Sequence, residues 1–422
     1  MKLLKLAVAA ALAAPLSALA TVGYFSHGYG LKAKGMGGVG IALSQDALAP
    51  ATNPAGIGFI GSRADLGLDW FQPKRSTEIV GNIFPGVNGT YDGNGTSDFL
   101  IPEFGISRSF GQNLAVGLAV YGNGGMNTTY NTSPFTGFGG ASPAGVDLMQ
   151  MFIAPTVAYK PNPNHSFGVS LNFAFQRFAA DGLQIFTAPG FSVAPGSVTN
   201  QGYDDSTGWS LRFGWTGKMS DALTLGATYQ MKTNMTPFDK YRGLFAEGGD
   251  FDIPENYGFG IALKATPKLT LAGDILRINY GDVKSVGNPV NCFFAGACQL
   301  GAANGPGFGW QNTTVYKLGV SYEYSKDLTL RAGYVMLEQP IPASQTFFNI
   351  LAPGVVEDHL TLGATWALSP VTELTVSYMH AFKTKVNGAG SIPPGPPPGF
   401  GGGNANLEME QNSLGIAFGW KM

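Results

Sequence analysis

The chain has 422 residues, of which 44% are hydrophobic and only 12% charged, with a net charge of −2. Soluble domains carry about 25% charged residues, so the shortfall points to an outer surface that meets lipid. The near-neutral balance argues against a nucleic-acid partner, and no motif calls for a cofactor.

Residues 1–20 read as a secretory signal peptide. Lys2 and Lys5 give the positive start, Leu6 to Leu16 the apolar centre, and Ala18-Leu19-Ala20 a cleavage site. A single N-terminal membrane helix is the alternative, but the segment is short and ends in small residues. The mature chain would begin near Thr21.

Residues 21–62 precede the first convincing strand. They carry Gly23, Gly28, Gly30, Gly35, Gly37, Gly38 and Gly40, then Asp46 and Asn53-Pro54-Ala55-Gly56. Their length, small residues and apolar content favour a compact plug over a free periplasmic tail. The stretch Gly35-Met36-Gly37-Gly38-Val39-Gly40 matches G-x-G-x-x-G in form, but no βαβ pattern surrounds it and nucleotide binding is set aside. Pro54 fixes its own φ and holds Asn53 extended, leaving the Asn53 amide free to satisfy backbone groups. Asn53, Pro54 and Ala55 are therefore candidates for a lock on the plug, with an ordinary turn as the alternative.

From residue 63 onward the pattern is period two. In Leu-Ala-Val-Gly-Leu-Ala-Val-Tyr at 114–121, Leu114, Val116, Leu118 and Val120 share one face, and Ala115, Gly117, Ala119 and Tyr121 the other. Similar segments fall at about 63–72, 99–110, 113–121, 148–160, 166–178, 207–218, 222–233, 254–265, 268–280, 311–324, 327–338, 357–368, 371–383 and 407–420. Most have the roughly 9–11 residues that cross a tilted barrel wall. Six joints are tight polar turns: Gly111-Gln112-Asn113, Pro161-Asn162-Pro163-Asn164, Lys218-Met219-Ser220-Asp221, Thr266-Pro267-Lys268, Tyr324-Ser325-Lys326-Asp327 and Ser369-Pro370. The other joints are long and rich in Gly and Pro. This predicts an all-β fold, a 14-stranded antiparallel transmembrane barrel in a bacterial outer membrane. The short turns and both termini would be periplasmic, and residues 21–62 would lie as a hatch in the lumen of a barrel formed by 63–422.

Cys292 and Cys298 can close a small disulfide loop in an exported protein. A metal pair is the rival, but no His or acidic cluster flanks them. The segment 388–403, with Pro-Pro-Gly-Pro-Pro-Pro-Gly, is assigned to the last external loop as a spacer. Gly415 to Trp420 ends the chain as a terminal strand and looks like the signal read by barrel-assembly machinery, with Lys421 and Met422 displacing the usual terminal aromatic.

The chain resembles the FadL/TodX family of outer-membrane channels for long-chain fatty acids and hydrocarbons. The resemblance rests on the Gly-rich start with Asn53-Pro54-Ala55, on Ala154 to Lys160 running into Ser166-Phe167-Gly168-Val169, and on Pro254 to Gly260 with Leu269 to Asp274. It continues in Leu330-Arg331-Ala332-Gly333-Tyr334 and His359 to Gly363. It implies a hatch-closed 14-stranded barrel, passive uptake of apolar small molecules, and lateral release through a kinked third strand, carried here to Gly122, Asn123, Gly124 and Gly125. Glycines can bend a strand and break its ladder. Lateral release also avoids exposing each CH₂ to water at about 0.8 kcal/mol. Outer-membrane lipid and lipopolysaccharide would surround the wall.

The same resemblance carries ligand binding to Arg177, in Phe175-Gln176-Arg177-Phe178. Its phase, however, puts it with Val169, Leu171, Phe173 and Phe175 on the lipid face. By phase Arg212, Lys232, Lys317 and Arg331 point inward and could meet a carboxylate; solvated lumen charges or wall ion pairs are the plainer alternative. Gln311 stands where the family has a second basic residue, which favours a neutral hydrocarbon or aromatic ligand. Among rivals, catalysis lacks a Ser–His pair in reach, since Ser377 and His380 face opposite sides of a strand. A general porin would lack the plug, and a structural or adhesive barrel would use the long loops as its contact surface.

Overall fold

The protein is described by a computed structural model that covers residues 21–395 and 399–422; the signal-peptide segment falls outside them. Fourteen long strands make the wall: β1 (Arg63–Val80), β2 (Phe99–Phe110), β3 (Leu114–Tyr130), β4 (Ala144–Asn162), β5 (His165–Asp181), β6 (Asp204–Lys218), β7 (Leu223–Gln230), β8 (Asn256–Thr266), β9 (Leu269–Ile278), β10 (Thr313–Glu323), β11 (Leu328–Leu337), β12 (Asp358–Ala367), β13 (Thr372–Val386) and β14 (Asn404–Lys421). Each pairs antiparallel with its neighbours in sequence, and β14 pairs with β1 from Arg63↔Lys421 to Val80↔Asn404, which closes the cylinder. Two short strands, Gly89–Asp92 and Asn234–Met235, lie against β1 and β6.

Closure of β14 on β1 leaves no strand at a free end of the sheet, the condition for a sheet in hydrocarbon. Outward positions are apolar: Leu66, Leu68 and Trp70 on β1, Phe259 and Ile261 on β8, Tyr316 and Leu318 on β10 are all exposed. No helix among the described residues is long and apolar enough to cross a membrane. The tight turns lie where the sequence puts them, on the rim that also carries the start of β1 and the end of β14.

The strands on the β1–β6 side run longer than the periodicity indicates. β3 continues nine residues past Tyr121 to Tyr130, so Gly122, Asn123, Gly124 and Gly125 sit inside a strand and not at a loop start. Alternation is lost there because both faces are covered, one by the hatch segment and the other by neighbouring loops.

On the opposite rim the loops close over the lumen. Phe135, Phe138, Phe186, Phe293, Phe347, Phe348 and Phe400 pack edge to face and tilted, with centroids 5.3–6.2 Å apart. Cys292 and Cys298 are disulfide-bonded beside Phe293. The proline-rich loop is more than a spacer. Ile392 and Phe400 are buried, and Phe400 stacks on Phe191 at 5.9 Å. A single aromatic in a Pro/Gly stretch gives no periodic signal, which is why the sequence pattern does not reveal it.

Candidate functional site: the N-terminal segment and the parted wall

Residues 21–62 lie inside the cylinder and are almost wholly buried. Wall side chains hold them by hydrogen bonds from around the perimeter. Asp65 and Asp69 of β1 take Ala47 N (2.8 Å) and Lys34 Nζ (2.8 Å). Glu103 of β2 takes Gly30 N at 3.1 Å, Asp274 of β9 takes Gly40 N (2.8 Å) and Ile41 N (3.1 Å), and Thr361 of β12 takes Gly37 N at 2.7 Å. The backbone can approach this closely because inward wall positions are glycine. A methyl group at Gly105, Gly168, Gly214, Gly226 or Gly333 would overlap Ala47, Pro54, Asn53, Ile41 and Gly37, respectively.

Asn53 is fully buried. Its Oδ1 accepts from Ala55 N at 3.0 Å and caps the short turn Pro54–Gly56. Its Nδ2 donates to Ile41 O (2.7 Å), Trp215 O (2.9 Å) and Thr216 Oγ1 (3.1 Å). Pro54 lies against Gly168, and Ser166 Oγ donates to Ala55 O at 2.8 Å. The three residues thus join two parts of the segment to β5 and β6.

The inward bases face the segment too. Lys317 donates to His27 O at 2.7 Å, Arg212 to Thr52 O at 3.0 Å, and Arg331 to Gln45 Oε1 (2.8 Å) and Thr365 Oγ1 (2.7 Å). All three therefore seat the segment. Lys232, expected inward with them, does not: the strand ends at Gln230, and Lys232 is exposed and paired with Asp252 at 2.7 Å. Arg177 does not join them: it lies on the outer face, as its phase requires, ion-paired with Asp205 at 2.8 Å and set over the Tyr203 ring at 5.3 Å. No bulge turns it inward, so Arg177 does not line the lumen with the other bases. Gln311 is exposed and bonds Pro340 O through its backbone.

Of the perturbed groups of the segment, Asp46 and His27 bear on its behaviour around neutral pH. Burial, reinforced by Asp65 and Glu103, pushes the Asp46 carboxyl up to about 7. Burial, with His359, Lys34 and Lys317 nearby, holds His27 well below its ordinary value.

The wall itself parts at one place. β2 and β3 are paired only from Phe104↔Val120 to Phe110↔Leu114. Beyond Phe104, residues 99–103 of β2 stay paired with β1, whereas β3 from Tyr121 onward stays paired with β4. The register between β3 and β4 shifts between Gly122 and Gly124, leaving Asn123 as an extra residue. The freed β3 backbone turns to the N-terminal segment. Gly125 N donates to Tyr24 O (2.9 Å), Ser26 N to Asn123 O (3.1 Å), and Phe25 bridges Gly124. Tyr29 Oη donates to Asn123 Oδ1 at 3.0 Å, and its ring lies 4.9 Å from Tyr121. Residues 93–96 close the gap on its outer side, through Gly95 N to Thr129 O at 2.9 Å. Non-local pairing decides such a gap, so only the glycines hint at it in the sequence.

Small cavities lie along the inside. One of about 40 Å³ sits under the external loops, lined by Val146, Phe178, Phe186, Leu244, Phe308 and Phe348. A second, about 20 Å³, lies between the N-terminal segment and the wall beside Phe25, Tyr29, Ile41 and Arg212. A third, also about 20 Å³, touches Tyr24, Arg75 and Trp310 behind the gap.

Solved structures share this architecture. The toluene transporter TodX of P. putida superposes with a TM-score of 0.68 at 17% identity, over 94% of this chain and 99% of that one. A Pseudomonas aeruginosa FadL homologue gives 0.72 at 16% identity, with coverage of 94% and 99%. The Ralstonia pickettii toluene transporter TbuX gives 0.63 at 16%, again with 94% and 99%. Comparison of the sequence with curated proteins returns no match. The family model described as outer membrane protein transport protein (OMPP1/FadL/TodX) matches residues 17–392, and on that match and its closed 14-stranded wall the chain belongs to that family of outer-membrane transport proteins.

Proposed function

We propose that the protein takes up hydrophobic small molecules passively from outside and releases them sideways into the outer membrane through the gap between β2 and β3. The hatch is residues 21–62, locked by Asn53, Pro54 and Ala55, and the rim of short turns and chain ends faces the periplasm. The ligand settles first in the apolar cavity under the loops, passes the Tyr24 region, and leaves past Gly122, Asn123, Gly124 and Gly125. Outer-membrane lipid and lipopolysaccharide surround the exposed apolar belt, and the terminal strand β14 is what barrel-assembly machinery would meet. The neighbouring structures named as toluene transporters support an apolar cargo.

The observation that carries this reading is the unpaired interval of β3, with its backbone bonded to the hatch and not to β2. An axial path would have to cross a segment fastened from around the perimeter. Extending the ladder by two residues from Phe104↔Val120 would set Pro102 opposite Gly122. A P102C/G122C pair, once oxidised, should staple the gap and abolish uptake, and reduction should restore it; the parent protein under the same reductant controls for Cys292–Cys298. Unchanged uptake by the stapled protein would refute lateral release.

A further inference from the structure

Arg75 points inward from β1 at the level of the gap and is 2% exposed. Arginine is almost never so buried without a carboxylate, yet none of the ion pairs among the described residues includes it. Its guanidinium donates instead to neutral oxygens, Asn127 O at 2.7 Å, Asn127 Oδ1 at 3.3 Å and Thr96 O at 2.5 Å, and lies 5.9 Å from the Phe99 ring centre; Asp92 and Asp147 act on it only from beyond ion-pair distance. Its Nε has no hydrogen-bond partner.

These contacts span the opening. Arg75 belongs to β1, Phe99 to the free end of β2, Thr96 to the segment that closes the outer side of the gap, and Asn127 to the unpaired part of β3. The guanidinium also borders the third cavity, whose other walls include Met126, Trp310, Pro353, Met409 and Tyr24. An apolar chamber behind an exit thus holds a fixed cation.

We propose that Arg75 is a specificity-determining residue of the exit, a latch that is opened by the carboxylate of an acyl-type amphiphile. This rests on the lateral-release reading and adds a cargo class to it. A carboxylate accepts from a guanidinium about twice as strongly as a neutral carbonyl and fits its fork with two bonds. It would take Arg75 from Asn127 and Thr96 and untie β3 from β1 as the tail enters the gap. A neutral hydrocarbon has nothing to offer Arg75 and would pass only when the tie opens of itself, with no help from the latch. This runs against the neutral ligand that Gln311 suggests, because the cation is supplied from a different strand.

Trp310 makes the test direct. The full-length protein is placed in phosphatidylcholine bilayers, where no anionic lipid competes, and titrated with hexadecanoate brominated beside the carboxylate or with 1-bromohexadecane. A W310F variant isolates the Trp310 signal, and heat-modifiable migration confirms a folded barrel. The carboxylate should quench Trp310 at tenfold or more lower concentration than the neutral compound. R75M should raise that concentration at least tenfold and leave the neutral compound unchanged, and R75K should fall between. In cells, R75M should lose hexadecanoate uptake and keep hexadecane uptake. Equal quenching by both compounds, or an R75M response like the parent's, overturns the inference. If the parent imports both and R75M does too, the latch alone is wrong; if the parent imports neither, the uptake reading falls and the latch with it.

Discussion

Replacing Asn53 by Ala tests how the hatch is held. The substitution removes one acceptor, for Ala55 N, and one amide that donates to Ile41 O, Trp215 O and Thr216 Oγ1. The two N–H groups shared among three acceptors and the one accepting oxygen make about three bonds, and at a net value of about 1 kcal/mol each the loss is about 3 kcal/mol. A working figure of about 3 kcal/mol corresponds to a rise of roughly 100-fold in the local opening equilibrium of the hatch. Hydrogen exchange measured by mass spectrometry on the protein in bilayer nanodiscs reads this peptide by peptide. Peptides from residues 35–60 should lose protection by about that factor while β9 to β13 keep theirs. Unchanged exchange across 35–60, or equal losses in hatch and wall, would refute the assignment of Asn53 as the lock.

Other substitutions probe the remaining parts. Gly124→Val sets a side chain onto the Tyr24 carbonyl; it should push the N-terminal segment off β3 and block uptake in a still-folded barrel, and normal uptake would count against the gate. Phe400→Ala removes a ring packed among Phe138, Phe191, Phe294 and Phe347; proteolysis of the loop at 388–403 should accelerate, and an unchanged rate would show that the ring does not anchor it. The pH response of the hatch stems from Asp46 and His27. With its carboxyl near 7 when seated and near 4 when released, Asp46 takes up a proton in the seated state, so docking tightens as pH falls from 8, by about fourfold at pH 6.5. Below about 6.5 His27, kept neutral by burial, favours release, and the two trends offset each other. Hatch protection should therefore rise to pH 6.5 and level off, whereas D46N should be flat above 6.5 and lose protection below it; the same curve for both proteins would contradict this.

The wall was legible because its physics is local. Alternation between a lipid face and a small-residue face marks each strand, and turn chemistry separates them. The phase of Arg177 correctly placed it on the outer face. What escaped depends on contacts between distant parts of the chain. The upper half of β3 is covered on both sides and loses its period, so its extent to Tyr130 left no trace. The inward bases were identified, but a basic residue on an inward phase reads the same whether it waits for a ligand or seats a carbonyl of the hatch. Arg75 lies in Gln72-Pro73-Lys74-Arg75, beside an exposed Lys74 paired with Glu410, and its burial arises only from the gap it spans.

The glycine bed beneath the hatch also bears on how the molecule is made. Main chain of the hatch rests on bare main chain of β2, β5, β7 and β11, with no side chains between to part like bristles. The phenylalanine cap shuts the other end. A segment gripped on so many sides has no route in once the seam between β1 and β14 has zipped, so during biogenesis the staves must be gathered around a stopper that is already there.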